Sequence, residues 1–325
     1  APRREGLMQA SDVAERAGRI VEEVEKAIVG KHGTVRTAVA TLLSNGHLLI
    51  EDIPGVGKTT LAKAIATAIG GEFRRIQFTP DLLPSDITGS SVWNQREATF
   101  EFRPGPVFGN VILADEINRA TPKTQSALLE SMEERQVTVD GETRPLPVPF
   151  FVIATQNTIE MTGTYPLPEA QLDRFFARIS LGYPDRDSEV RILGEQRHAH
   201  PLETVRQAIA PDELVELQEA VREVFVAEAV RAYIVDVVQA TRESARLMMG
   251  ASPRGSLHLM RAAQAHAAME GSEFVRPEDV KAMAVPVLAH RVLGQPDLAL
   301  RGSSAEDAIR EALESVPVPV TRTLA

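Results

Sequence analysis

The sequence predicts an α/β fold: a mostly parallel sheet covered by helices on both faces, followed by a smaller, all-helical part. Five short apolar runs, HLLIED, RRIQFT, VILADE, FFVIATQ and ARISLGY, alternate with helix-spaced segments such as KTTLAKAIATAIG and TPKTQSALLESMEE, which is the pattern of strands joined by crossover helices. After Tyr183, Pro184 and Asp185 the strand-like runs stop, and the segments that follow have helical spacing bounded by Pro, Gly or acidic residues. At 325 residues the chain also exceeds the roughly 150 residues usual for one domain. The boundary is therefore placed between a first domain over residues 1–184 and a helical domain with a C-terminal tail over 185–325.

Taken in order, SDVAERAGRIVEEVEKAIVG predicts a helix that opens on Ser11 or Asp12 as its cap and closes on Gly30. A second helical stretch runs through Val35 and Leu43 and leads into the first strand. Two insertions interrupt the first domain. Between about Asp86 and Phe108, GSSVWN and ATFEF flank polar NQRE and read as a hairpin leading into the turn from Pro104 to Pro106. RQVTVDGETRPL reads as a second hairpin, over about 136–146, with Asp140 and Gly141 at its tight turn. The tail SVPVPVTRTLA reads as a frayed terminus.

Composition narrows the class. Hydrophobic residues at 43% and charged residues at 25% supply a packed core rather than a disordered chain. The net charge of −10 offers no electrostatic footprint for nucleic acid. There are no cysteines, which excludes disulfides and thiolate metal sites. His198 and His200, the closest histidine pair, read as an exposed helix end and not as metal ligands. No apolar run approaches the roughly 20 residues that span a bilayer, and the first residues lack a signal-type apolar region, so a cytoplasmic location is expected.

The chemistry starts at EDIPGVGKTT, which follows the apolar HLLI and opens a helix. That is the strand-loop-helix setting of a P-loop. Gly55 and Gly57 let the backbone of Pro54, Gly55, Val56, Gly57, Lys58, Thr59 and Thr60 curl so that its N–H groups and the positive helix terminus face phosphate oxygens. Lys58 reaches the β- and γ-phosphates, and Thr59 ligates magnesium. The predicted ligands are thus ATP and Mg2+. Asp52 stands where the first glycine of the motif is expected, and it either needs a permissive backbone angle or brings a carboxylate near the phosphates.

VILADE ends on Asp115 and Glu116, two carboxylates at the C-terminal edge of the sheet beside the loop. Asp115 can hold magnesium, and Glu116 can take a proton from attacking water. FFVIATQNT ends on Gln156 and Asn157, and the Asn157 amide is the better candidate to orient that water. Hydrolysis also needs positive charge on the transition state. PLPEAQLDRFFARI offers Arg174 and Arg178 just before the last strand, and SPRGSLHLMRAA offers Arg254 at the start of a helix in the second domain.

Together IEDIPGVGKTTLAKA, FRPGPVFGNVILADEINRA, QSALLESMEE, VIATQNT and LPEAQLDRFFARI resemble the MoxR branch of the AAA+ ATPases, over almost the whole chain. The resemblance implies a P-loop AAA+ core with a five-stranded sheet, a helical lid, and a hexameric ring with ATP between subunits. It implies that Arg174 is a finger acting in trans, that Arg254 is the lid sensor, and that Ile28, Val29 and Gly30 lie against adenine. The hairpin from about Asp86 to Phe108 becomes a helix-2 insert lining a central pore, the Asp140 hairpin a pre-sensor insert, and Asp52 a mild variant of the loop. It further implies chaperone-like remodelling with a partner that carries a von Willebrand factor type A domain; no residue pattern names the client. The competing functions are the motor subunit of a magnesium-chelatase-like complex, a nucleotide-gated scaffold with little turnover, and a nucleic-acid translocase.

Overall fold

A computed structural model describes residues 8–157, 163–195, 201–299 and 304–319. His198 and His200 and the last residues of the tail lie outside them. Helix α1 (Ala10–Glu25) buries Val13, Ala17, Ile20, Val21 and Val24, a stripe at three- and four-residue spacing. Gln9 holds the cap position, so Ser11 and Asp12 fall in the first turn, where the Asp12 charge faces the positive helix end. The helix stops at Glu25, well short of Gly30. Ile28 and Val29 are buried in the turn that follows, and Gly30 takes a φ of 75°.

Helix α2 (His32–Leu43) leads to β1 (Leu48–Glu51), then α3 (Lys58–Ala68), β2 (Phe73–Gln77) and the short α4 (Pro84–Thr88). The first hairpin, β3 (Gly89–Asn94) and β4 (Thr99–Pro104), stands before β5 (Val111–Asp115) and α5 (Pro122–Glu134). The second, β6 (Gln136–Val139) and β7 (Glu142–Pro145), precedes β8 (Phe151–Gln156), α6 (Glu169–Leu172) and β9 (Ala177–Ile179). Asp140 and Gly141 both lie at positive φ, 54° and 80°, as a two-residue type I′ turn demands. Arg144 on β7 covers the Phe102 ring on β4 at 4.0 Å, so the two hairpins touch.

The five strands β2, β5, β8, β1 and β9 form one parallel sheet in that order. The central residues of β1, β5 and β8 are fully buried on both faces, which explains why these strands read as continuous apolar runs. One face packs Leu49, Ile76, Ile112 and Val152 against Leu128, Leu129 and Met132 of α5. The other face belongs to a larger cluster that continues through α1 and α2 into the C-terminal helices.

Those helices are α7 (Arg186–Glu195), α8 (Pro211–Arg222), α9 (Glu228–Glu243), α10 (Pro253–Met269), α11 (Pro277–Leu288), α12 (Pro296–Ala299) and α13 (Ala305–Ser315). One small antiparallel pair, β10 (Leu247–Met249) with β11 (Leu293–Gly294), is set among them. Leu259, Ala262 and Ala263 of α10 share the buried cluster with Val39 and Leu43 of α2, so the helical part and the sheet are cored together. Arg291 seals the junction. Its guanidinium is buried, donates to the Phe175 and Phe176 carbonyls, and pairs with Asp173 at 2.9 Å. None of the described helices is long and apolar enough to cross a membrane.

Candidate active site

The C-terminal edge of the sheet gathers the residues singled out at the ends of β1, β5 and β8. After Glu51 the chain enters a loop in which Gly55 and Gly57 take φ values of 83° and 95°, a conformation that costs glycine little. Nothing lies within 4 Å of a side chain built at Gly55, so the loop is open to solvent at this residue. Gly57 sits at the cap of α3, whose first residues, Lys58, Thr59 and Thr60, continue the cradle. An open loop of left-handed glycines at a helix N-terminus fits phosphate oxygens.

Two members of the predicted cradle also shape the loop. Val56, between the glycines, is half-buried and packs its side chain against the large hydrophobic cluster. It therefore anchors the loop to the core and offers a phosphate only its backbone. Pro54 is exposed and has no N–H, so it shapes the turn without donating.

Lys58 donates to the Asp52 carbonyl at 2.9 Å. Burial lowers the pKa of its ammonium, and the charges of Asp52, Asp115 and Glu116 oppose that shift. The acid pair therefore stands within electrostatic reach of the loop lysine. Asp52 itself turns its carboxylate away from the loop's interior, toward Ser180, Leu181 and Gly182 at the end of β9. Its φ is not positive, so the backbone there takes an angle that a residue with a side chain can adopt, and the carboxylate is not brought to the loop's interior. Those backbone and hydroxyl donors claim the side chain instead.

Asp115 closes β5 and is nearly buried; Thr155 on the adjacent β8 donates its hydroxyl to Asp115 Oδ1 at 2.7 Å. The same hydroxyl oxygen accepts the Glu116 amide at 2.8 Å. Glu116 takes a left-handed backbone, φ 57°, which is costly for a residue with a side chain and aims its carboxylate off the strand. Gln77 at the end of β2 and Arg119 each donate to Glu116 Oε2 at 2.9 Å. Asn157 follows β8 at the same edge and is buried. A hydroxyl in the first turn of α3, Thr59, and a strand-end carboxylate, Asp115, are the groups here that could hold a magnesium ion.

Ile28 lies beside the loop, 3.7 Å from a side chain built at Gly57. Gly30 packs against Ser188 of α7 so closely that a side chain there would meet its hydroxyl at 2.2 Å. Ile28, Val29 and Gly30 thus bridge the loop and the first turn of α7.

The arginines separate. Arg178 lies inside β9, not before it, and spends its guanidinium on Glu51 at 2.7 Å and on Glu306 of α13 at 3.1 Å. Arg174 precedes β9 and so lies at the N-terminal edge of the sheet, away from the loop. There it meets Arg254 of α10: Arg174 Nε and Arg254 Nη1 hold the two oxygens of Glu133 at 3.2 and 3.3 Å. Glu133 lies in the last turn of α5 beside Met132, whose carbonyl takes the His47 ring nitrogen just before β1, which fixes this edge as the opposite one. Thr155, Gln77 and Glu133 carry no local sequence signal; strand register reveals the first two, and the packing of α5 against Arg174 and Arg254 reveals Glu133.

The profile of the ATPase family associated with various cellular activities (AAA) matches residues 47–177, and the AAA lid domain matches residues 239–312. The chaperone MoxR1 of Mycobacterium tuberculosis is 43% identical over 97% of this chain and 85% of its own length. The chain belongs to the MoxR family of AAA+ ATPases. The YeaC protein of Bacillus subtilis is 49% identical to this MoxR-family chain over 94% of its length and 96% of YeaC. A crystal structure of a candidate ATPase from Cytophaga hutchinsonii superposes with a TM-score of 0.89 at 37% identity, covering 96% of the MoxR-family chain and 97% of the other.

Proposed function

We propose that this MoxR-family ATPase hydrolyses ATP at sites completed by neighbouring subunits of a hexameric ring, and uses the cycle to remodel protein complexes. The observation that carries the reading is the division of the machinery between two edges of one sheet. Lys58, Asp115, Glu116 and Asn157 stand at the C-terminal edge, whereas Arg174 and Arg254 converge on Glu133 at the other. Arginines so placed serve a nucleotide held by another copy.

In this scheme Lys58 and the loop amides bind the phosphates, and Ile28 to Gly30 line the base. Magnesium held by Thr59 and Asp115 would neutralise phosphate charge. Thr155 fixes both acidic residues, Glu116 accepts the proton of attacking water, and Asn157 orients that water. Arg174 and Arg254 of the next subunit stabilise the charge that develops on the transferred phosphoryl group. The hairpin of β3 and β4 is the pore-lining helix-2 insert. The chaperone name of the Mycobacterium relative supports remodelling, and the family resemblance supports a partner with a von Willebrand factor type A domain and a cytoplasmic setting.

Glu116→Gln tests the reading. The variant should bind ATP as tightly as wild type, lose at least about a hundredfold in turnover, and assemble with ATP into a ring whose mass sedimentation measures. Wild-type turnover in the variant, or full activity from a protein that sediments as a single subunit, would count against it.

A further inference from the structure

We propose that Asp52 is a positioning residue that couples nucleotide occupancy of the loop to the segment joining the sheet to α7; this rests on the reading of the loop as an ATP site. Its carboxylate is buried, the residue being 5% exposed, and fully engaged. One oxygen accepts the Ser180 hydroxyl at 3.0 Å, the Gly182 amide at 2.8 Å and the Leu181 amide. The other accepts the amide of Ile53, the next residue of the loop, at 2.9 Å. Its backbone joins two further parts of the site: the carbonyl holds the Lys58 ammonium at 2.9 Å, and the amide donates to the Gln156 carbonyl at 3.2 Å, one residue from Asn157.

The same segment is held from the base side. Lys31, which follows the Ile28–Gly30 turn, donates to the Tyr183 carbonyl at 2.8 Å. Residues 181–183 are therefore gripped by the phosphate loop through Asp52 and by the base-lining turn through Lys31, immediately before α7 begins. When Lys58 turns from the Asp52 carbonyl to a phosphate, the Asp52 peptide shifts, and the carboxylate carries that shift to the Leu181 and Gly182 amides. The glycine that a P-loop ordinarily has at this position offers no such handle.

Hydrogen exchange of the full-length protein, with and without ATP under non-hydrolysing conditions, reads those amides directly. In wild type, ATP should slow exchange across residues 181–190 about fivefold or more. Asp52→Gly, which restores the common loop residue, should bind a fluorescent ATP analogue within about threefold of wild type, lose the ATP-dependent change in exchange, and lower kcat about tenfold with KM within about threefold. Ser180→Ala leaves the loop untouched and should reduce the same change about twofold. If Asp52→Gly does not fold, Ser180→Ala carries the test, and an undiminished change there overturns the proposal. So does an ATP-dependent change that survives in Asp52→Gly, or a loss of ATP affinity large enough to account for its lost turnover. A wild type that binds ATP without any change at 181–190 defeats the coupling alone, whereas a wild type that binds no ATP defeats the reading of the loop as well.

Discussion

Arg75 holds the Asp115 carboxylate from the neighbouring strand: Nε and Nη2 both reach Oδ2, at 3.2 and 2.6 Å. The same Nη2 donates to Gln77 Oε1 at 2.6 Å, and Gln77 in turn donates to Glu116. A single guanidinium thus stands on the carboxylate proposed to face magnesium and steadies the amide that holds the proposed base.

A cation at Asp115 Oδ2 would share that oxygen with Arg75. Half-exposed ion pairs of this kind contribute up to about 1 kcal/mol, so Arg75→Gln should lower the magnesium concentration for half-maximal hydrolysis about threefold. Titrating magnesium at saturating ATP checks this. An unchanged half-point would remove Arg75 as a competitor.

Arg174→Ala and Lys58→Ala should each abolish most hydrolysis when assayed alone. Mixed in one ring, they should recover part of it, because some interfaces then pair an intact loop with an intact Arg174. Absence of recovery at every mixing ratio would sink the trans assignment.

Thr155→Val keeps the shape of the side chain but leaves the Glu116 amide and an Asp115 oxygen without their shared partner. The expected cost is about 1–3 kcal/mol in stability, with a fall in kcat of at least about tenfold. Thr155→Ser, which retains the hydroxyl, should restore most of both, as thermal melts and steady-state rates would show.

Stability should fall in mild acid. Burial lowers the pKa of His47 to about 3 and of His258 to about 2, and His290 is held well below its ordinary value by the same cause. The unfolded chain protonates these rings near 6.5, whereas the folded protein leaves them neutral. The unfolded state therefore binds more protons as pH drops through 6.5, and stability declines with it. Between pH 7 and 5.5 the loss should be on the order of 3 kcal/mol. Denaturant melts at the two pH values measure it, and His47→Gln should remove about a third of the dependence. His47 depends on neutrality, since its Nδ1 accepts the Val152 amide at 3.0 Å.

Features contiguous in the chain are legible from its sequence alone. The loop from Pro54 to Thr60 and the Asp115–Glu116 pair are read from neighbouring residues, and both-face burial makes each central strand a plain apolar run. The inward turn of Val56 is not legible, because an apolar residue between two glycines reads the same whether it faces a ligand or the core. Gln77 is hidden because its meaning comes from register: it pairs with Asp115 across β2 and β5. Thr155 is hidden for the same reason, and Glu133 because its partners, Arg174 and Arg254, lie far along the chain. The direction of the Asp52 carboxylate depends on β9 lying beside β1, which no local pattern encodes. Arg178 is easily misplaced because ARISLGY gives no sign of which residue begins the strand. Helix α13, which the expectations omit, does carry a readable signal: Ser304 and Asp307 form a capping box.

The first hairpin has an optical consequence. Trp93 on β3 is the chain's only tryptophan, 49% exposed and edge-on to Phe100 of β4 at 5.1 Å between ring centres. The indole emission of the whole protein therefore originates at this one projection. A body that covers the hairpin moves that emission toward the blue and shields it from dissolved quenchers, and one that docks elsewhere leaves its colour unchanged. The molecule carries its own unlabelled reporter on this projecting hairpin.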